Sequence, residues 1–440
     1  MAARTTIRRD TDRRITAGGL LISAGFLLVA LASALLPSDM RRGVWLPLHL
    51  ALPGAASVAI GTVLPFFLAA LGATRPGAPW LRIATIGLLA AGAAGVAAGF
   101  AAGVGIVATA GGVLFIGGLV GLGALLVTIL GGALGPQRGL LPRAYAWAIA
   151  DVLVGASLAT LYVAGWAPIV SVWGQVKPAH AWLNVFGFVG LVIASTLVHL
   201  YPTVLGTRIG LRPSVRVALV GLGGGPSAIA LGYLLAAAGH GGLGAVVARL
   251  GALTVVVGAL SLVRFAAEAH AARGRWTTDF AWHRFTSWSL ALGVGWYVVG
   301  LGVAAARVLV LGVEPVGWGI ELVGAPLAIG FILQILVGSW THLLPSVGPG
   351  DQRVHARQRT VLARGTDGRL VLLNAGVAIL AVALPLASGA GAVGSDVGAN
   401  LVDAGVVAGA MCVVVALGAG LALLLRAVLL RPDPPPDPLR

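Results

Sequence analysis

The sequence predicts an all-α integral membrane protein of twelve transmembrane helices, and three observations carry that prediction. Apolar side chains make up 58% of the 440 residues and charged ones 10%, with a mean hydropathy of +0.98; an ordinary soluble domain is roughly 45–50% apolar and about 25% charged. The apolar residues fall in stretches of about 20, the length that crosses a hydrocarbon core. The basic residues sit in short patches between those stretches, so the net charge of +15 marks topology and argues against nucleic acid as a partner.

Breaks in hydropathy place the spans at 16–36, 46–72, 82–104, 106–131, 144–166, 179–206, 215–238, 243–266, 284–306, 318–345, 369–388 and 401–430. The first follows a basic flank, MAARTTIRRDTDRR, and ends in small residues at Ala32 to Ala34, in the manner of a cleaved signal. Its apolar core exceeds the roughly 7–15 residues of a signal peptide, so it reads as a retained span. With the N-terminus inside, the tail and the loops after even-numbered spans hold nearly every arginine, among them Arg4, Arg8, Arg9, Arg13, Arg14, Arg138, Arg208, Arg275 and Arg353. The other side keeps Arg41, Arg42, Lys177 and Arg307, with Arg249 inside a span. That asymmetry predicts a bacterial-type plasma membrane protein with both termini cytoplasmic. Residues 1–430 form one polytopic domain, and 431–440, RPDPPPDPLR, form a Pro-rich tail. No stretch is long enough for a soluble catalytic domain, so any chemistry lies within the bundle or at its mouths. A single cysteine, Cys412, excludes an intramolecular disulfide and a cysteine metal cluster. A metal would have to rest on histidine, carboxylate or backbone oxygen.

Spans six and ten repeat one another. Gly187 to Pro202 and Gly330 to Pro345 both read G-F-x10-H-L-x-P, 143 residues apart, and span two ends similarly in GTVLP with Thr62 in place of the histidine. Spans two, six and ten are therefore expected to be equivalent members of three pseudo-symmetric four-helix repeats.

The eight histidines sort by depth. His49 opens span two and His180 opens span six, near the outer face. His199 and His342 close spans six and ten and His283 precedes span nine, toward the cytoplasmic face. His240, His270 and His355 read as solvated loop residues. Nineteen residues separate His180 from His199, roughly 28 Å along a helix, so two separate sites are indicated. At the outer one, His49 and His180 are candidate axial ligands of a b-type haem held between facing helices, with Asn184 one turn away to orient His180. At the inner one, His199, His283 and His342 are candidate imidazole ligands of copper, zinc or iron, with Ser195 and Ser339 a turn from two of them. The competing reading for each is a histidine that meets headgroups or caps a helix. Trp182, Trp282, Trp288, Trp296 and Trp340 fit an interfacial belt. Asp151, Arg249 and Glu321 are further charges near the membrane, as proton-path or propionate partners or as helix-end residues.

Twelve spans, threefold repetition and histidines on helices two, six and ten resemble subunit I of haem-copper oxidases and nitric oxide reductases. The segment H-A-W-L-N-V-F-G-F, His180 to Phe188, resembles the H-x-H-x-N-x-x-G-F/W pattern of the C-type oxidase branch and is similar to the H-A-H-E-M-L-F-G segment of the NnrS family of haem- and copper-containing membrane proteins. Trp182 stands where the pattern has its second histidine, no His-His pair follows span six, and span ten lacks a His-x-His. The resemblance therefore implies a divergent relative that keeps the scaffold and one haem or one copper, and not a typical proton-pumping oxygen reductase.

The function this implies is that of a membrane redox protein binding b-type haem, copper or both, passing electrons from quinol to an outer-face copper protein or cytochrome, or handling nitric oxide. From a different class, a transporter or channel in which histidines serve a proton- or metal-linked pathway uses the same residues. A cofactor-free scaffold is the third reading. Partners are the lipid membrane and, for any of the three, a second copy in a homo-oligomer.

Overall fold

The computed structural model of the chain describes residues 2–37, 39–133, 139–207, 212–273, 281–315, 319–347, 351–388 and 396–430. Arg138, Arg208, Arg275 and the tail 431–440 lie outside the described residues. Within them the regular structure is helical throughout. Twelve helices are long and apolar enough to cross a membrane: Thr11–Ala34, Trp45–Leu71, Pro79–Ala102, Gly105–Gly131, Leu140–Val163, Trp173–Val204, Pro213–Ala237, Gly241–Ala271, Ala281–Leu311, Ile320–Ser346, Thr366–Ser388 and Asn400–Val428. The protein is thus an all-α, multi-pass membrane protein, with its body in the lipid bilayer. Several boundaries depart from the hydropathy reading. Span six begins at Trp173, so His180 lies two turns inside it; span nine runs from Ala281 to Leu311 and takes in His283 and Arg307. Between spans ten and eleven, Gln352–Leu362 forms a short amphipathic helix whose N-cap Asp351 accepts the Val354 N–H at 2.9 Å. Hydropathy alone reads that polar helix as a loop.

The spans fall into an inner and an outer set. Of the most apolar 18 residues, 72% are buried in span two, 78% in span six and 61% in each of spans seven and ten, against 28–39% elsewhere. In each group of four, the first span packs on the middle of the second, and the third and fourth form a hairpin in contact along its length. These hairpins close on small residues. A Cβ added at Gly92 or Gly99 of span three would collide with the backbone of Phe115 or Ala108 on span four. This is the small-residue contact that lets membrane helices gain van der Waals packing where no hydrophobic force drives them together.

Spans two, six and ten each contain a π-helical stretch, Leu50–Ala56, Trp182–Gly190 and Ala325–Leu333. A proline accompanies each: Pro53 and Pro326 lie inside, and Pro178 lies four residues ahead of the second. Proline withholds an N–H and crowds the carbonyl four residues back, and a widened turn absorbs both defects. A glycine sits inside each stretch and faces the first span of its own repeat. A Cβ at Gly54 would collide with the Phe26 ring, at Gly187 with the Asp151 carboxylate, and at Gly330 with Trp296, 2.5 Å away.

Charged contacts tie the ends of the spans. Arg82, 1% exposed, pairs with Asp12 at 2.7 Å and donates to the Thr16 hydroxyl at 3.1 Å, joining spans one and three. Arg212 and Arg264 share Glu268 across spans seven and eight, and Arg284 meets Asp367 at 2.8 Å across spans nine and eleven.

Gly187→Ala is expected to destabilise the bundle by about 1–3 kcal/mol through overpacking. Gly87→Ala, at a glycine where an added Cβ would meet nothing within 4 Å, is expected to leave the melting point unchanged. Thermal unfolding of the detergent-purified variants followed by tryptophan fluorescence distinguishes them, and equal melting of the two would contradict the close approach of Gly187 to Asp151.

Candidate functional site

Spans two, six and ten line an axial cavity of ≈ 100 Å³ whose walls obey one rule. Span two contributes Ala56, Ala59, Ile60, Val63, Leu64 and Phe67; span six contributes Val189, Val192, Ile193, Thr196, Leu197 and Leu200; span ten contributes Ile332, Ile335, Leu336, Ser339, Trp340 and Leu343. Each set follows the spacing i, i+3, i+4, i+7, i+8, i+11 of one helical face. Each position recurs 133 residues later and again 143 residues after that. The structural repeat therefore keeps the offset between spans six and ten that the sequence shows, but sets span two in a different register. Phe66, not Thr62, is the counterpart of His199 and His342.

At the end of the bundle that carries His49, the same register makes Trp182 the counterpart of that histidine. His49 lies at the mouth of the first π stretch, half-buried, with its ring stacked on Trp45 at 3.9 Å, and Trp45 stacks in turn on Phe100 at 4.1 Å. Its Nδ1 is 2.9 Å from the Trp45 carbonyl oxygen. An oxygen of that kind only accepts, so Nδ1 carries the proton and the Nε2 lone pair is left over. His180 repeats this arrangement on span six. Its Nδ1 donates to the Gly155 carbonyl of span five at 2.8 Å, and the Asn184 side-chain amide lies 2.8 Å from the same nitrogen. The Asn184 Nδ2 also lies 3.4 Å from the His180 Nε2, so the amide lies against both ring nitrogens. Trp173, stacked on Tyr162 at 4.0 Å, lies against the ring at 6.2 Å. The two imidazoles are within electrostatic reach of each other, and Lys177 is within reach of both. Two imidazoles, each anchored through Nδ1, suit a metal that takes nitrogen ligands, with the Asn184 amide nitrogen 3.4 Å from the His180 Nε2.

The other end does not assemble as the sequence analysis expects. His283 and His342 do come together, with ring centroids 5.4 Å apart, and Trp282 packs on both, at 4.0 Å and 5.8 Å. His199 does not join them; it lies half-buried against Phe67 of span two at 6.4 Å. Among the described residues no group of three or more His, Cys, Asp or Glu side chains converges on a metal position. The Arg359 guanidinium over Trp282, 5.4 Å from the ring, also places a positive charge beside the pair. Trp182, Trp282 and Trp340 are 1%, 9% and 5% exposed, so they belong to the core and not to an interfacial belt. His270 is on span eight, against Tyr201 at 5.4 Å and Trp288 at 6.3 Å, and is not a solvated loop residue. His355 stands on the short amphipathic helix, while His240 is exposed in a turn.

Asp151 gains a definite place. It lies in the middle of span five, 6% exposed, and accepts from the Ser227 hydroxyl of span seven at 2.9 Å, while Trp147 Nε1–H donates to Ser227 at 2.9 Å. Its other oxygen, buried and without a partner, lies against Gly187. Asp151 is one turn from Gly155, and Gly187 is one turn from Asn184. A column of polar side chains, His180, Asn184 and Asp151, therefore lies between spans five, six and seven, and among the described residues no hydrogen bond joins Asn184 to Asp151. Sequence reasoning had a signal for it, a lone carboxylate in an apolar run, but no means of placing its partners on other helices.

Gly155 leaves the room that Asn184 occupies, since a Cβ there would lie 2.5 Å from the amide oxygen. Gly155→Ala is expected to lower stability by about 1–3 kcal/mol, and Gly155→Ala/Asn184→Ala to recover most of that loss, giving a non-additive cycle in thermal melts. Additive losses would show that the two residues are not in contact. In comparisons with known proteins, no family model and no curated protein matches this chain.

Proposed function

We propose that the protein is a membrane redox protein that holds a b-type haem between His49 and His180 at one end of spans two and six. The observation that carries this reading is the matched pair of imidazoles, each with its Nδ1–H given to a backbone carbonyl. That bond fixes the tautomer and the ring plane and raises the basicity of Nε2. His49 and His180 would hold the iron of a haem through such nitrogens, and one or both would suit copper. Trp45, Phe100, Trp173 and Tyr162 supply flat apolar walls around them, and Lys177 supplies a cation for an acidic group at the rim. Haem bound there would provide one-electron transfer. The chain's own part is to orient the two rings, through Trp45 on one side and Gly155 with Asn184 on the other, and to keep water from the site. Asp151, on the same polar column, is the group in position to take or give a proton close to that site. Quinol is the proposed donor and an outer-face copper protein or cytochrome the proposed acceptor, with nitric oxide chemistry as the other use of such a haem.

A histidine-linked transporter draws on the axial cavity, but that cavity offers a hydrophilic substrate only the hydroxyls of Thr196 and Ser339. The redox reading therefore accounts for more of the polar residues.

A dithionite-reduced minus oxidised absorption spectrum of protein purified from its native membrane tests the proposal. A b-type band is expected in the wild type and in His342→Ala, and is expected to be lost in His49→Ala and His180→Ala. Absence of the band from the wild type, together with absence of stoichiometric copper, would remove the redox reading. Orientation, with both termini in the cytoplasm of a bacterial-type cell, is checked in a Cys412→Ser background. A membrane-impermeant maleimide is expected to label Asp39→Cys, and not Arg364→Cys, in intact cells.

A further inference from the structure

A second cavity, of ≈ 230 Å³ and open to the outside, adjoins the axial one and shares Val63, Phe67, Thr196, Leu200, Trp340 and Leu343 with it. Its remaining walls come from spans one, two, ten and twelve. Spans one and twelve are the first and last of the bundle, and they touch only slightly. The two cavities together thus form an apolar passage from the seam between the outermost spans to the centre of the inner three. Its walls are almost entirely Leu, Val, Phe, Ala and Trp side chains, the surroundings an acyl chain takes.

The charge pattern at its mouth is specific. Arg13 is the one charged side chain among the described lining residues, and Thr16 lies one turn along. The nearest carboxylate in sequence, Asp12, is already engaged by Arg82, which also takes the Thr16 hydroxyl. No ion pair among the described residues neutralises Arg13. The chain places Arg4, Arg8 and Arg9 on the same helix just ahead of the span and Arg14 in its first turn, and a cluster of four to eight basic residues beside a membrane helix attracts anionic headgroups.

We infer that this passage is a binding site for an anionic phospholipid, with one acyl chain in the apolar passage and the phosphate against Arg13. A free phosphate has no use for the apolar walls, a neutral lipid brings no anion to the guanidinium, and a zwitterionic lipid brings its own cation into a patch that is already basic. The inference is independent of the haem proposal, because none of the residues involved belongs to the His49 and His180 site.

The experiment is native mass spectrometry of the full chain from mild detergent, with melting curves after addition of phosphatidylglycerol or phosphatidylcholine. One tightly held phosphatidylglycerol per chain is expected, with stabilisation by phosphatidylglycerol and little by phosphatidylcholine. Arg13→Gln is expected to weaken retention about tenfold, the loss of one charge-assisted contact, and Arg14→Gln, an exposed residue outside the cavity lining, to leave it unchanged. Ala17→Phe, which fills the passage, is expected to abolish retention; should that variant not fold, the Arg13 and Arg14 pair still decides. Equal retention of both lipids, or equal losses in Arg13→Gln and Arg14→Gln, would overturn the inference and leave only a general attraction of the basic segment or a neutral apolar occupant.

Discussion

Helices in a bilayer gain nothing from hiding apolar surface from one another, so their arrangement is governed by where backbones can come close. In this protein the decisive approaches are at Gly54, Gly187 and Gly330, each inside a π-helical stretch and each against a side chain of the first span in its repeat. The widened turns and the missing Cβ atoms act together. One relieves a proline's lost hydrogen bond, and the other opens the space into which Phe26, Asp151 or Trp296 fits. With those contacts made, the inner spans are turned so that one face of each lines the axis, and the hairpins fill the outside.

The number of spans and their approximate limits were legible from hydropathy and arginine placement, since both follow from the thickness and charge preferences of a membrane. The repeat of spans six and ten was legible too, because its register survives in the sequence. Span two was not, because Pro65 invites alignment with Pro202 and Pro345, whereas the wall positions pair Phe66 with His199 and His342. Hydropathy carries no information on helix rotation when nearly every face is apolar. The three-histidine cluster failed for a related reason. His199 and His342 occupy equivalent places on two different helices, His199 against Phe67 of span two and His342 against His283 of span nine. The recurrence that makes them conspicuous in the sequence is what holds them apart, and only His283, on the span packed against span ten, can reach His342.

The two ends of the bundle consequently differ in chemistry. At one end, His49 and His180 have their protons committed to carbonyls, and Asn184 and Asp151 continue the column of polar side chains into the middle of the membrane. At the other, His283 and His342 are hemmed in by Trp282 with Arg359 beyond it, an arrangement that favours packing over cation binding. Polar groups at such depth are retained only where partners or a task offset their desolvation. The Asp151 column has partners for one oxygen and a neighbour for the other, which makes it the part of the interior that packing alone explains least.

The axial cavity has a further property. Three copies of one helical face surround it, so a molecule at its centre meets nearly the same wall in three directions and gains little by preferring one. Any preference must come from the places where the copies differ. Val63, Thr196 and Ser339 form one such ring and Leu64, Leu197 and Trp340 another. Two hydroxyls and one indole, all on spans six and ten, therefore set the orientation of whatever enters, and they turn a symmetric chamber into a directional one.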